Sequence, residues 1–467
     1  MRILGAWTWT GILTGVLVLV TASFAERWSP SQGGANPKPA TETCGPPHYC
    51  ARTDRKAVPY PGAPPALGPA GSVVIDPDFH SRILRATDAS VDQARSGTPF
   101  HTPASGEQNS WNASSTKFYA GDTGGGFWLF DFDPSVMSVH SSGRIKFPWS
   151  GLEFSYTQGN ILYGVTGRNP TFQQYDLSSG KVTTINDFSS CVQLGDSDGD
   201  LSFSVSADDN RLLGVVGPQQ DKDYLLYVYD RKRGCRWYNT ATGEIGGQWG
   251  PTGRISGSAP PSLLIHNAEL AKSGDYVVIG SQQVARGRVI WQVGTLNVTV
   301  CAGPEYQCLG HVAVGYSHML NSSNSSHPLD FIKRPLDDPT AKTHIMQLPP
   351  LTGWYDYHLS WNHIDPGDDT PACFSTYHPT NPDTPGAPLL VNGPWENEID
   401  CVSTDRAPAT VWRFAHTYST GRSFWATPRG NVSRDGRFYM FTSDWENELG
   451  KDPKGRYRTD VFIVELR

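Results

Sequence analysis

Charge is scarce in this sequence: Asp, Glu, Lys and Arg make up 18% of 467 residues, and the formal balance is -7. A surface of that sign attracts neither nucleic acid nor an anionic membrane, so neither is an expected partner. Beyond the N-terminus there is no long hydrophobic run, and no long amphipathic helix is legible. Gly-x-Ser-x-Gly, phosphate-loop and His-Glu-x-x-His patterns are all missing, which argues against serine hydrolase, nucleotide and zincin chemistry and leaves no nucleotide cofactor. No two cysteines have the CxxC spacing of a redox or zinc site.

Turn-forming residues are abundant instead, with 48 Gly and 36 Pro, the composition of an extracellular β protein. Arg2, the apolar "ILTGVLVLV" and the small-residue "TASFA" read as a signal peptide over residues 1–25, cleaved after Ala25. The apolar run is short of a full span, against the alternative of a membrane anchor. The expected location is secreted or periplasmic. Losing Arg2 takes the charge from -7 to -8. The eight cysteines (Cys44, Cys50, Cys191, Cys235, Cys301, Cys308, Cys373 and Cys401) are an even set suited to disulfides. Of the 105 full pairings, nearest-neighbour pairing is expected, because each bridge then closes a loop within one or two structural units.

A repeat runs through the chain. "RGNVSRDGRFYMFTSDWENEL", Arg429 to Leu449, joins strand, turn and strand. Asp435-Gly436 reads as a two-residue hairpin turn, and Phe438 to Ser443 as a buried strand. Comparable units begin at Asn112, Ser155, Ser206 and Ala268, and less regular ones span Gly310–Leu348 and Asp356–Ala415. Their spacing of about 40 to 60 residues is that of propeller blades. The expected fold is all-β: a seven-bladed propeller over residues 71–467, preceded by a Pro/Gly-rich extension, 26–70, that wraps the outside. "GSVVIDPDFHSRILRATD", Gly71 to Asp88, is expected to join the C-terminal strands and close the ring, which removes free sheet edges. A β-sandwich is the alternative, but its turns recur every 8–12 residues without the longer period.

Side chains of inner strands converge on a propeller's channel. Aligning the turns puts Gln108, Asn109, Glu153, Ser202, His266, Asn267 and His363 at comparable places, and His311, His318, His358 and His416 on inner strands of neighbouring blades. Neutral imidazole suits borderline divalent metals, so Gln108, His266, His311, His363 and His416 are the candidate ligands. Hydrogen bonding that orders a blade is the alternative role for each His. "GDSDGDLS", Gly195 to Ser202, alternates Asp196, Asp198 and Asp200 like the start of a calcium loop, yet Ala207 stands where the distal Glu belongs; a solvated acidic turn is the competing reading.

"NVSRDGRFYMFTSDWENEL" and "IHNAELAKSGDYVVIGS" resemble blades of TolB-type propellers and of oligogalacturonate lyases. The "WRFAH", "FWATPR" and "NVSRDGRF" blocks are similar to those of secreted propellers of soil bacteria. The lyase resemblance implies a channel metal, typically manganese, that neutralises a uronate carboxylate while a base removes the adjacent proton for β-elimination. Pro428 and Arg429 stand where that family has its His-x-His pair. The expected function is a carbohydrate-active propeller, specifically a metal-assisted polysaccharide lyase, with a non-enzymatic glycan- or protein-binding propeller as the alternative. A divalent ion, manganese or calcium, is the expected cofactor, a polysaccharide or oligosaccharide the partner, and a monomer the expected state. His266, His416 and Tyr316 are the base candidates. Arg413, Arg422 and Arg429 are candidates to grip carboxylate. Trp111, Trp361 and Trp425 are candidate sugar-stacking surfaces, with packing between blades as the alternative.

Overall fold

The computed structural model describes residues 44–467 apart from Gln93, Ser96, 104–106, 195–197, Gln283, 285–286, 303–307, 323–329, 348–355, 379–388 and Asn392. The expected signal peptide and the first part of the N-terminal extension therefore lie outside the described residues, as does Asp196 of the calcium-like motif. The side chains of Asp198 and Asp200 are not described either.

Seven antiparallel sheets follow one another along the chain. Their first strands are Phe100–His101, Trp149–Phe154, Asp198–Val205, Asn267–Leu270, Leu309–Val314, Asp356–Ser360 and Gly430–Val432. We number the blades 1 to 7 in that order. Blade 3 carries two additional strands at its outer edge, Glu244–Gly247 and Gly253–Arg254. Blade 7 mixes both ends of the chain: Arg82–Arg85 pairs with Asp460–Glu465 at Ile83 to Val464 and Leu84 to Ile463, and Val73–Ile75 lies outside it. The expected ring closure is the one observed.

Apolar side chains occupy seven clusters, and each cluster joins two successive blades. Leu152 packs with Tyr119 between blades 2 and 1, Trp291 with Leu213 between blades 4 and 3, and Phe438 and Ile463 with Trp111 and Phe118 between blades 7 and 1. Each strand interior alternates between its two neighbours, which is why both faces of Phe438–Ser443 are buried. Full burial of one such large apolar side chain contributes about 1.5–3 kcal/mol.

The turn at Asp435-Gly436 is wider than expected. Only Gly436 has a positive φ, +70°, and the strands end at Val432 and resume at Phe438. Ser433 holds this loop: its Oγ accepts the Phe438 amide at 3.0 Å and donates to Asp435 at 2.6 Å. Ser206 does the same for the Arg211 amide at 2.9 Å, so a side-chain cap substitutes for a tight two-residue turn.

All four disulfides join nearest neighbours: Cys44–Cys50, Cys191–Cys235, Cys301–Cys308 and Cys373–Cys401. The first holds a loop against the outside of the ring, where Tyr49 packs edge-on to Trp412 and Phe414 and donates to the Gly436 carbonyl at 2.8 Å. Among the described residues no helix is long and apolar enough to cross a membrane.

Candidate functional site

Polar residues near the ends of the inner strands first serve the ring itself. Glu153 accepts the amides of Asn109 at 3.1 Å and Val205 at 3.0 Å; Ser204 accepts the Leu270 amide and Ser360 the Val432 amide. Each of these bonds ties one blade to its neighbour. Burial raises the carboxyls of Glu107 and Glu153 to about 7 and about 8. Burial raises Glu269 too, and the charges of Glu107 and Glu153 add to the effect, so carboxyls from blades 1, 2 and 4 meet near the axis. Lys272 accompanies them, its amine lowered by burial and donating to the Val314 carbonyl at 2.8 Å.

Two residues earlier along the inner strands, His311 and His358 stand with ring centres 4.1 Å apart. Burial holds His358 well below the usual imidazole range, and the nearby charges of His311 and Arg429 lower it further. Gln108 belongs to the inner run of blade 1, where its carbonyl accepts Asn431 Nδ2 at 2.8 Å. A divalent cation here would meet the Arg429 charge, which opposes it.

The other expected metal ligands lie elsewhere. His266 pairs with Asp221 at 2.9 Å, nearly half exposed, at the start of the blade 4 inner strand. His363 is buried at the opposite end of its strand, beside Trp361; burial pushes it down to about 3. His416 ends the outermost strand of blade 6, Val411–His416, and faces Asp78 at 3.2 Å. His318 begins the second strand of blade 5, His318–Ser322. The expectation that His318 and His416 share the inner strands is corrected: alternation shows which face a residue takes, not which strand of a blade carries it. Gln108, His266, His311, His363 and His416 therefore do not surround one ion, and the metal implied by the lyase resemblance finds no donor set among them.

Three more candidates are structural. Arg413 is fully buried in an ion pair with Glu398, 2.6 Å apart, and also reaches Asp54 at 3.2 Å. Trp111 and Trp361 are 0% and 2% exposed, so neither offers a face to a sugar ring. Their indole nitrogens donate to the Asn431 and Thr370 carbonyls. Tyr316 lies at the far mouth with His363, ring centres 6.3 Å apart, and not with His266 or His416.

Arg422, Trp425 and Arg429 do come together, in the segment between blades 6 and 7. Arg422 and Trp425, with the loop after Phe438–Ser443 and the edge of blade 1, line a recess of about 340 Å³. Trp425, half-buried, stacks on His101, and Phe424 beside it is 60% exposed. Across the recess are Tyr457, 38% exposed, and Arg456, which pairs with Asp452 at 2.8 Å. Arg429 supports the aromatics from beneath, donating to the Phe424 carbonyl at 2.7 Å with its guanidinium 4.0 Å from that ring's centre. Gly121 makes the stack possible, because a Cβ there would lie 2.4 Å from the His101 ring. Asp444 forms part of the wall; burial raises its carboxyl to about 6, although Thr420 donates to it through both amide and hydroxyl.

One signal was passed over in the sequence: Trp-Glu-Asn-Glu occurs twice, at 395–398 and 445–448. The first copy leads into the third strand of blade 6, which begins at Glu398, and the second lies between the second and third strands of blade 7. Both put Trp and Asn in the left-handed region, with φ of 66° and 56° in one and 48° and 68° in the other. The second copy builds the wall behind the recess, with Trp445 stacked on Phe462 at 4.6 Å and donating to the Pro65 carbonyl.

Ring order and site together define a seven-bladed β-propeller with an aromatic and cationic recess on one face. No family model and no curated protein matches the chain. Among solved structures it is similar to TolB from Acinetobacter baumannii, at 14% identity over 60% of this chain and 63% of that one, with a TM-score of 0.33. It is also similar to the C-terminal WD40 domain of Sif2, at 10% identity over 79% of this chain and 97% of that one, with a TM-score of 0.41. The chain thus spans less than two thirds of the TolB structure.

Proposed function

We propose that the chain binds an acidic saccharide in the recess between blades 7 and 1, outside the cytoplasm, where its four disulfides are maintained. The observation that carries this reading is the accessible Phe424–Trp425 pair, ring centres 4.9 Å apart, bordering a recess lined by Arg422 and Arg456. Flat aromatic faces suit sugar rings, and guanidinium groups suit uronate carboxylates, which they can grip through two hydrogen bonds.

Asp444 favours the enzymatic alternative, a uronate lyase. A carboxyl raised to about 6 exchanges protons close to neutral pH. Its two bonds from Thr420 occupy it structurally, so binding stands first.

Titration calorimetry with oligogalacturonate and with a neutral oligosaccharide of equal length tests the proposal, alongside an absorbance assay for unsaturated uronate. Selective binding of the acidic ligand, abolished by Arg422→Ala, is the expected result. A folded chain that binds no acidic glycan overturns the binding reading. A rise in absorbance that Asp444→Asn removes would establish the lyase instead.

A further inference from the structure

The turn between Val73–Ile75 and Arg82–Arg85 carries Asp76 and Asp78 to His416 at the end of the outermost strand of blade 6. Asp76 shapes that turn. Its Oδ1 accepts the amides of Asp78 and Phe79, each at 2.9 Å, and its Oδ2 accepts the His416 amide and the Tyr418 hydroxyl, each also at 2.9 Å. Asp78 Oδ2 is 3.2 Å from His416 Nε2. One ligand atom from each of Asp76, Asp78 and His416 lies within 4.8 Å of the others, a grouping of three or more His, Cys, Asp or Glu found nowhere else among the described residues.

A second observation concerns the imidazole itself. His416 is fully buried, and its Nδ1 has no hydrogen-bond partner. The rings of Tyr60 and Phe79 lie edge-on to it, both with centres 5.0 Å away, so packing holds its orientation. Nε2 is the ring nitrogen that faces Asp78, so a cation shared with the two carboxylates would bind there and leave the imidazole proton on Nδ1. Asp78 is about one-third exposed and leaves a route from solvent.

We propose that Asp76, Asp78 and His416 bind a first-row divalent ion, zinc or manganese, outside the channel, where the N-terminal hairpin meets blade 6. One imidazole and two carboxylates match the donors of these ions, and water completes the shell. Calcium is the poorer match because it takes six to eight oxygens. The ion would fasten the closing hairpin to a neighbouring blade and so stabilise the closed ring. Entry competes with the Tyr418 hydroxyl for Asp76 Oδ2, so ion binding perturbs tyrosine absorbance.

The test is titration of the chelator-treated, disulfide-intact chain with zinc chloride and with manganese chloride, followed by calorimetry, tyrosine difference absorbance and thermal melting. One ion per chain, a tyrosine difference signal and a higher melting temperature are expected. Asp78→Asn should weaken binding by ~tenfold or more, and His416→Gln should remove the melting shift. His344→Gln, at a surface pair with Asp330, should leave both unchanged. Absence of a stoichiometric ion, or binding that survives both Asp78→Asn and His416→Gln, overturns the assignment. If His416→Gln fails to fold, Asp78→Asn decides alone.

Discussion

Trp425 lies on the imidazole of His101, with ring centres 3.9 Å apart and planes 28° from parallel. His101 donates from Nδ1 to the Thr102 carbonyl at 2.7 Å, and burial lowers its pKa to about 4, so the supporting ring is neutral at physiological pH. The exposed part of Trp425 is thus held on a rigid, uncharged base that spans two blades. Trp425→Ala should weaken acidic-saccharide binding by ~tenfold or more, about 1.4 kcal/mol, in titration calorimetry. Its urea midpoint should fall as well, because much of the ring is buried against His101, so affinity is to be measured well below the unfolding transition.

Arg413 and Glu398 form a buried pair whose loss leaves a lone charge inside blade 6. Arg413→Met should destabilise the fold by about 3–5 kcal/mol, read by urea unfolding. Saccharide affinity, measured below the unfolding transition, should be unchanged. A large loss of affinity with normal stability would return Arg413 to the ligand site.

Channel carboxyls set an alkaline limit to stability. Burial raises the folded-state carboxyls of Glu107 and Glu153 to about 7 and about 8, from 4.5. Their contribution is fully present below pH 4.5 and is lost as pH rises through those values. Stability should therefore fall from about pH 4.5 to about 7 for Glu107 and to about 8 for Glu153, by up to ~1.4 kcal/mol per pH unit for each group. His363 acts in the opposite direction: lowered to about 3 from 6.5, it contributes stability above pH 6.5 that is lost as pH falls toward 3. Glu153→Gln should flatten the fall between about pH 6.5 and 8 in melting curves recorded across pH and leave the loss below pH 4.5 unchanged.

The ring should depend on its N-terminal strand. Leu84 is fully buried, so Leu84→Ala should lose about 2–5 kcal/mol. Deleting residues 71–88 would expose the edge of Asp460–Glu465, and soluble aggregates in size-exclusion chromatography are the expected outcome.

The blade plan could be read along the chain because it is local. A capped turn between two buried strands recurs, as at Ser206 and Ser433, and Cys373–Cys401 closes within one blade. Ring closure was legible too, since the Gly71–Asp88 segment carries an unpaired strand pattern. The positions of the histidines were not. His311 and His358 meet across two blades, whereas His416, with the same apparent setting in "WRFAH", belongs to an outer strand. The recess was legible only in part: Arg422 and Trp425 stood out, but Tyr457 and Arg456 reach it through a loop whose course depends on the Trp445–Asn447 left-handed turn.

By itself, then, the sequence determined the class of fold, the number of blades and the strand that closes them, and it favoured the nearest-neighbour cysteine pairing that the structure shows. Each of these follows from patterns a few to a few dozen residues long. The tertiary structure alone decided which side chains share a site. His101 meets Trp425, and Asp76 meets His416, across more than three hundred residues of chain. Such meetings are set by the packing of blade on blade, which no local periodicity encodes.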